Sequence, residues 1–186
     1  MNWKCELENL EKNKMWDSAI ELMKKVIEEE PYDVGAAISI NYLLMNLLVE
    51  EDYDKSKHDY YADLAQKYFL DSYRKFYNNP AYLYYTGRIA CMSEWYFGIE
   101  LDDADAMMKK AIQLEPDNII YQWASFSAKD EDQTKAISYA HIILENNSSV
   151  KKILESKGSL GHYLLDIMTN WSKRMISEAR LVKKID

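Results

Sequence analysis

Few side chains in this 186-residue chain are of types and spacings that do chemistry. His58, His141 and His162 are the only histidines, and none follows a carboxylate by three residues. The helical Glu-x-x-His arrangement that holds metal ions inside bundles is therefore absent. So are the His-Glu-x-x-His zinc motif, the glycine-rich phosphate loops and the Gly-x-Ser-x-Gly nucleophile turn. Gly158-Ser159-Leu160-Gly161 is too short to cradle a phosphate and reads as a break between two helices. Cys5 and Cys91, the only cysteines, are far apart, with no Cys-x-x-Cys pattern and no base beside them in sequence. They read as reduced, buried small hydrophobes. The expectation is a protein without catalytic residues, metal or cofactor. An enzyme whose nucleophile and base meet only in the fold is the rival reading, since that pairing is a spatial feature.

Side chains suited to recognition are more plentiful. Three acidic runs stand out: Glu50-Glu51-Asp52 with Asp54, Glu100 with Asp102, Asp103 and Asp105, and Asp130-Glu131-Asp132. Carboxylates at a helix start cap its free N–H groups and favour the positive end of the helix dipole. Capping uses about one acid per turn, and these runs exceed it. Each is expected between the two helices of a hairpin, so stacked hairpins would align them into one acidic stripe. The local alternative is capping plus a solvated charged face. The aromatic cluster Tyr82, Tyr84, Tyr85, Trp95, Tyr96 and Phe97 reads mainly as core at helical spacing, with part of its rings free to bind. Lys173, Arg174, Arg180, Lys183 and Lys184 near the C-terminus read as cations favouring the end of a helix, not as a nucleic-acid or membrane site.

The elements that must position these residues are all helical. Gly (5) and Pro (3), the two strongest helix breakers, are scarce. Apolar spacing predicts helices near 2–13, 16–30, 34–50, 54–78, 81–97, 102–114, 118–128, 132–146, 149–157 and 161–184. The run from Ala36 to Val49, interrupted by Asn41 and Asn46, is too short to span a bilayer and predicts a buried helix. In the last helix Leu164, Ile167, Trp171 and Met175 share one face. Two stretches are alike, Ala19 to Asp33 and Ala104 to Asn118. Aligned without gaps, Ala19, Met23, Lys24, Lys25, Ile27, Glu30 and Pro31 match Ala104, Met108, Lys109, Lys110, Ile112, Glu115 and Pro116. A weaker third copy runs from Ala136 to Leu144.

This pattern of a small residue, a large apolar residue, a second small residue and a closing proline resembles the tetratricopeptide repeat, a helix-turn-helix unit of about 34 residues. Met15 to Glu21 resembles that family's turn into its second helix. Trp3, Ser39, Tyr42, Gly87 and Ala124 fall near its aromatic and helix-crossing positions. The match covers roughly half the chain. Residues 54–79 carry no repeat signature, and Gly98 to Asp103 lengthen one turn. The resemblance implies an all-α, irregular α-solenoid of hairpins over 1–186 as a single domain, closed by a C-terminal capping helix. It also implies a concave side lined by first helices, with Tyr84, Arg88, Tyr121 and Ser125 facing it and Trp95 at the rim.

The net charge is −8 and the sequence pI about 5.0. Such a chain repels a phosphate backbone, so no nucleic-acid partner is expected. No basic-then-apolar leader opens the sequence and no run is long enough to cross a bilayer, so a cytoplasmic protein without a membrane partner is expected. The functional expectation is a non-catalytic binder of a protein partner, a basic one where the acidic residues contact it, as an immunity protein binds a toxin. A general adaptor reading a peptide in the concave groove is the alternative. The oligomeric state is left open.

Overall fold

The structure, a computed structural model, describes residues 3–127, 133–145 and 148–182, with side chains described to residue 175. Helix is the only regular structure among the described residues. The chain forms two compact units, Met1–Glu115 and Pro116–Asp186, where the sequence reads as one repeat domain.

In the first unit α1 (Trp3–Lys12) packs on α2 (Trp16–Glu29), and α2 on α3 (Val34–Glu50). Helix α3 packs on both α4 (His58–Phe76) and α5 (Pro80–Ala90). Helix α5 packs closely on α7 (Leu101–Leu114), and the four-residue α6 (Glu94–Phe97) lies against α4. In the second unit α8 (Ile119–Ser127) packs on α9 (Gln133–Leu144). There α11 (Ser159–Val182) packs on α9 and on α10 (Ser149–Glu155).

Helix α3 is apolar and buried around most of its circumference, with Ser39, Asn46 and Val49 on its partly open side. Ala36, Ile40, Leu43, Leu44 and Leu47 are fully buried. Its one buried polar side chain, Asn41, donates to Ser72 Oγ of α4 at 3.3 Å, and that hydroxyl lies 2.7 Å from the Tyr82 hydroxyl of α5. The three helices thus share one buried polar link. Such a link is costly to break, because each unpartnered group would keep its desolvation penalty.

The sequence repeat reappears as geometry. Glu30 closes α2 at φ −127°, ψ 68°, its N–H donating to Val26 O. Glu115 closes α7 at φ −131°, ψ 73°, its N–H donating to Ala111 O. A proline follows each, barring a further helical turn. An Asx side chain then starts the next helix. Asp33 accepts the Gly35 and Ala36 N–H groups at 2.7 and 3.2 Å, and Asn118 accepts the Ile120 N–H at 3.2 Å. Ala19 and Ala104 are both fully buried. Opposite Ala104, a Cβ on Gly87 would stand 2.9 Å from the Ala104 carbonyl oxygen and from Met108 Cγ, so α5 and α7 touch backbone to backbone there.

Three expectations change. The single helix predicted over 81–97 breaks at Cys91–Ser93, because the turn swings Phe97 into the core against Phe69 at 5.0 Å. Gly158, at φ 62°, lies in the break between α10 and α11, but Gly161 lies inside α11, where a Cβ would strike the Leu154 carbonyl. Cys5 is exposed, not buried, because α1 covers little more than Leu7. Cys91 is half-buried, and burial pushes its thiol pKa up.

Candidate functional site

The best-formed recognition surface is the corner where α6 turns into α7. Trp95 is 62% exposed, far more than a ring of its size in a core. Its neighbour Tyr96 lies 5.6 Å away and meets His58 edge-on at 5.7 Å. His58 in turn stacks on Tyr53 at 6.2 Å, and its Nδ1 lies 2.6 Å from the Tyr53 hydroxyl. A row of rings therefore backs Trp95, while buried Phe97 pins the short helix to α4. Gly98 ends α6 in the left-handed region at φ 69°, and a Cβ there would run into the Gln66 side chain.

Next comes α7 with its acids. The Glu100 N–H donates to Asp103 Oδ2 at 3.0 Å, and the Asp103 N–H donates back to Glu100, so the pair caps the helix. Asp105 pairs loosely with Lys109 at 3.6 Å. Asp102 is exposed and has no hydrogen bond or ion pair among the described residues. Leu101 is half-exposed beside it. Between Arg88 and Lys109 the chain carries five carboxylates, Glu94, Glu100, Asp102, Asp103 and Asp105, and no lysine or arginine. An exposed indole and an exposed leucine thus sit in a stretch of chain rich in carboxylates. Leu101 escaped sequence reasoning; its signal was a large apolar residue opening the helix where Trp16 opens α2.

The other acidic runs do not match this corner. Glu51 pairs with Lys14 at 2.9 Å, and Asp54 accepts the Ser56 N–H and hydroxyl at 3.0 and 2.8 Å. Beside them Asp17 accepts from Lys57 at 2.5 Å and from the Tyr61 hydroxyl at 2.8 Å. Those two bonds hold the Asp17 carboxyl below its ordinary range, while burial pushes the Tyr61 phenol up. The cleft they line, with Trp16, Tyr53 and Ser18, has a volume of about 250 Å³ and mixed charge. Two acids of the first run, Glu51 and Asp54, are thus held in an ion pair and a cap, while Glu50 and Asp52 are exposed. Asp130, Glu131 and Asp132 lie outside the described residues.

The groove expectation is corrected. Tyr84 and Tyr121 are 1% and 2% exposed, so neither presents its ring to solvent. Tyr84 packs edge-on against Tyr85 at 5.1 Å, and burial drives its phenol pKa upward. Arg88 and Ser125 are half-buried. Tyr84 and Arg88 belong to α5 of the first unit, Tyr121 and Ser125 to α8 of the second. Of the aromatic cluster, Tyr82, Tyr84, Tyr85 and Phe97 are core, Tyr96 is half-buried and Trp95 is free.

Among the described residues no three His, Cys, Asp or Glu side chains are grouped as metal ligands, and no helix is long and apolar enough to cross a membrane. The fold and this corner define an all-α chain with an exposed tryptophan a few residues before the acidic start of α7. No protein-family model, no curated protein and no solved structure matches the chain.

Proposed function

We propose that the chain is a non-catalytic protein-interaction module of tetratricopeptide-like hairpins that binds a basic partner at the α6–α7 corner and holds that partner in check. The observation that carries this reading is Trp95, 62% exposed within a stretch of five carboxylates and no cation. Tryptophan anchors interfaces because one ring buries much area at little entropic cost. Carboxylates around it steer a basic surface toward the anchor and speed encounter. The helices behind the corner, pinned by Phe97 and by the close α5–α7 crossing, keep the anchor preorganised. The restraint of a toxic or regulatory protein, as an immunity protein achieves, follows by analogy with small acidic binders.

The test starts from the partner recovered from the chain's own cell and measures rates at two salt concentrations. Asp102→Asn with Asp105→Asn leaves the capping pair intact and should slow association and flatten its salt dependence. Trp95→Ala should chiefly speed dissociation. Unchanged rates in both variants would remove the corner from the interface.

A further inference from the structure

Helix α4 carries a second exposed face, on which large apolar side chains stand among charges of both signs. Three of the large apolar side chains left exposed among the described residues lie on this helix, Tyr60, Leu70 and Tyr73, and a fourth, Tyr77, is its C-cap residue. Its buried side, Tyr61, Leu64, Ala65, Phe69, Ser72 and Phe76, faces the core. Diametrically opposite run Tyr60, Asp63, Lys67, Leu70, Arg74 and Tyr77, all exposed. They follow alternating steps of three and four residues, the spacing of a helix–helix seam. The three apolar members are between 40% and 51% exposed.

We infer that this face is a self-complementary seam through which two copies of the chain pair, α4 against α4, antiparallel. With the two-fold axis between Tyr68 and Phe69, Tyr60 of one copy meets Tyr77 of the other, Asp63 meets Arg74, and Lys67 meets Leu70. Each contact occurs twice, as an isologous dimer requires. A parallel pairing would set Asp63 on Asp63, Lys67 on Lys67 and Arg74 on Arg74, three like-charge contacts. A slip of one heptad either way leaves one end of each seam unmatched. Lys67 fits beside Leu70 because its alkyl stem covers the leucine while its ammonium reaches water. The terminal rings are already held in place: Lys24 Nζ donates to the Tyr60 hydroxyl at 2.8 Å, and Lys110 Nζ lies 5.1 Å over the Tyr77 ring. Arg74 is bound within its own helix only loosely, 3.9 Å from Asp71 with both side chains mostly exposed, so it is free to reach across. Five turns of seam make a modest interface, with a dimer Kd on the order of micromolar.

Sedimentation equilibrium of the full chain across the micromolar range tests this. A monomer–dimer equilibrium is expected, abolished by Leu70→Glu with Tyr77→Glu while the circular-dichroism melt stays near that of the parent. Asp63→Arg and Arg74→Glu should each weaken the dimer by about tenfold or more. Mixing those two single variants should restore it as a heterodimer, because both charge contacts are then rebuilt. A chain that stays monomeric throughout, or a dimer indifferent to the Leu70 and Tyr77 changes, overturns the seam. Single variants that weaken the dimer but fail to recover on mixing overturn the antiparallel register.

Discussion

Tyr84 and Trp95, eleven positions apart, divide the work of the aromatic cluster, and single substitutions should separate them. Tyr84→Ala removes a ring 1% exposed and leaves a cavity, so it should cost about 3–5 kcal/mol of stability in a denaturant melt. Trp95→Ala removes a ring already mostly in water and should change stability by no more than about 0.5 kcal/mol. Equal losses for the two would mean that Trp95 is packed rather than presented. Asp17 makes a separate forecast. Its folded carboxyl is held below the ordinary range by Lys57 and then Tyr61. Its contribution is therefore present above the unfolded carboxylate value, near 3.9, and is lost as pH falls through the lower folded value. Asp17→Asn should flatten the acid limb of the stability profile below about pH 4. The Asp17 and Lys57 side chains are 61% and 40% exposed, so solvent screening keeps the effect under about 1 kcal/mol.

At the level of helices, α5 crosses α7 at close range at Gly87. A Cβ there meets the Ala104 carbonyl at 2.9 Å, and a backbone atom cannot turn aside as a side chain can. Gly87→Ala should cost about 1–3 kcal/mol by overpacking, although alanine favours helix. Ala104→Leu should cost at least as much, since Ala104 is fully buried on the same seam. Thermal melts check both; a gain in stability for Gly87→Ala would mean that the helices can part freely. Most helix positions were legible from apolar periodicity and from the Glu-Pro-x-Asx junctions. The break at Cys91–Ser93 was not, because no glycine or proline marks it. That turn exists because Phe97 gains a buried place against Phe69, and such a contact far along the chain has no local signature.

The whole chain divides at Glu115 into two units, each with its own core. In the second unit Ala136, Ala140, Ile143, Leu154 and Met168 are fully buried. A fragment of residues 1–115 holds every helix that packs on α3 and should fold cooperatively by itself, with a helical circular-dichroism spectrum and a single sharp melt. A broad, featureless melt of that fragment would show the division to be only geometric. Charge is also unevenly spread. The stretch from Val26 to Asp54 carries eight carboxylates and no lysine or arginine, and the stretch from Ile89 to Met108 carries five, while the outer face of α4 holds both signs, Asp63 with Lys67 and Arg74.

Local chemistry in the chain determined the helical class, the helix ends and the repeated junction, because periodicity, proline and Asx caps act within a few residues. It also marked Trp95 and the acids around it as surface candidates. Tertiary structure alone decided which of those candidates are free. Tyr84 and Trp95 look equally available in sequence, yet packing buries one and exposes the other. Likewise Glu51 and Asp102 are both acids in acidic runs, but only the fold brings Lys14 to Glu51 and leaves Asp102 open. Exposure and ion pairing depend on which distant segments meet, and no spacing along the chain encodes that meeting.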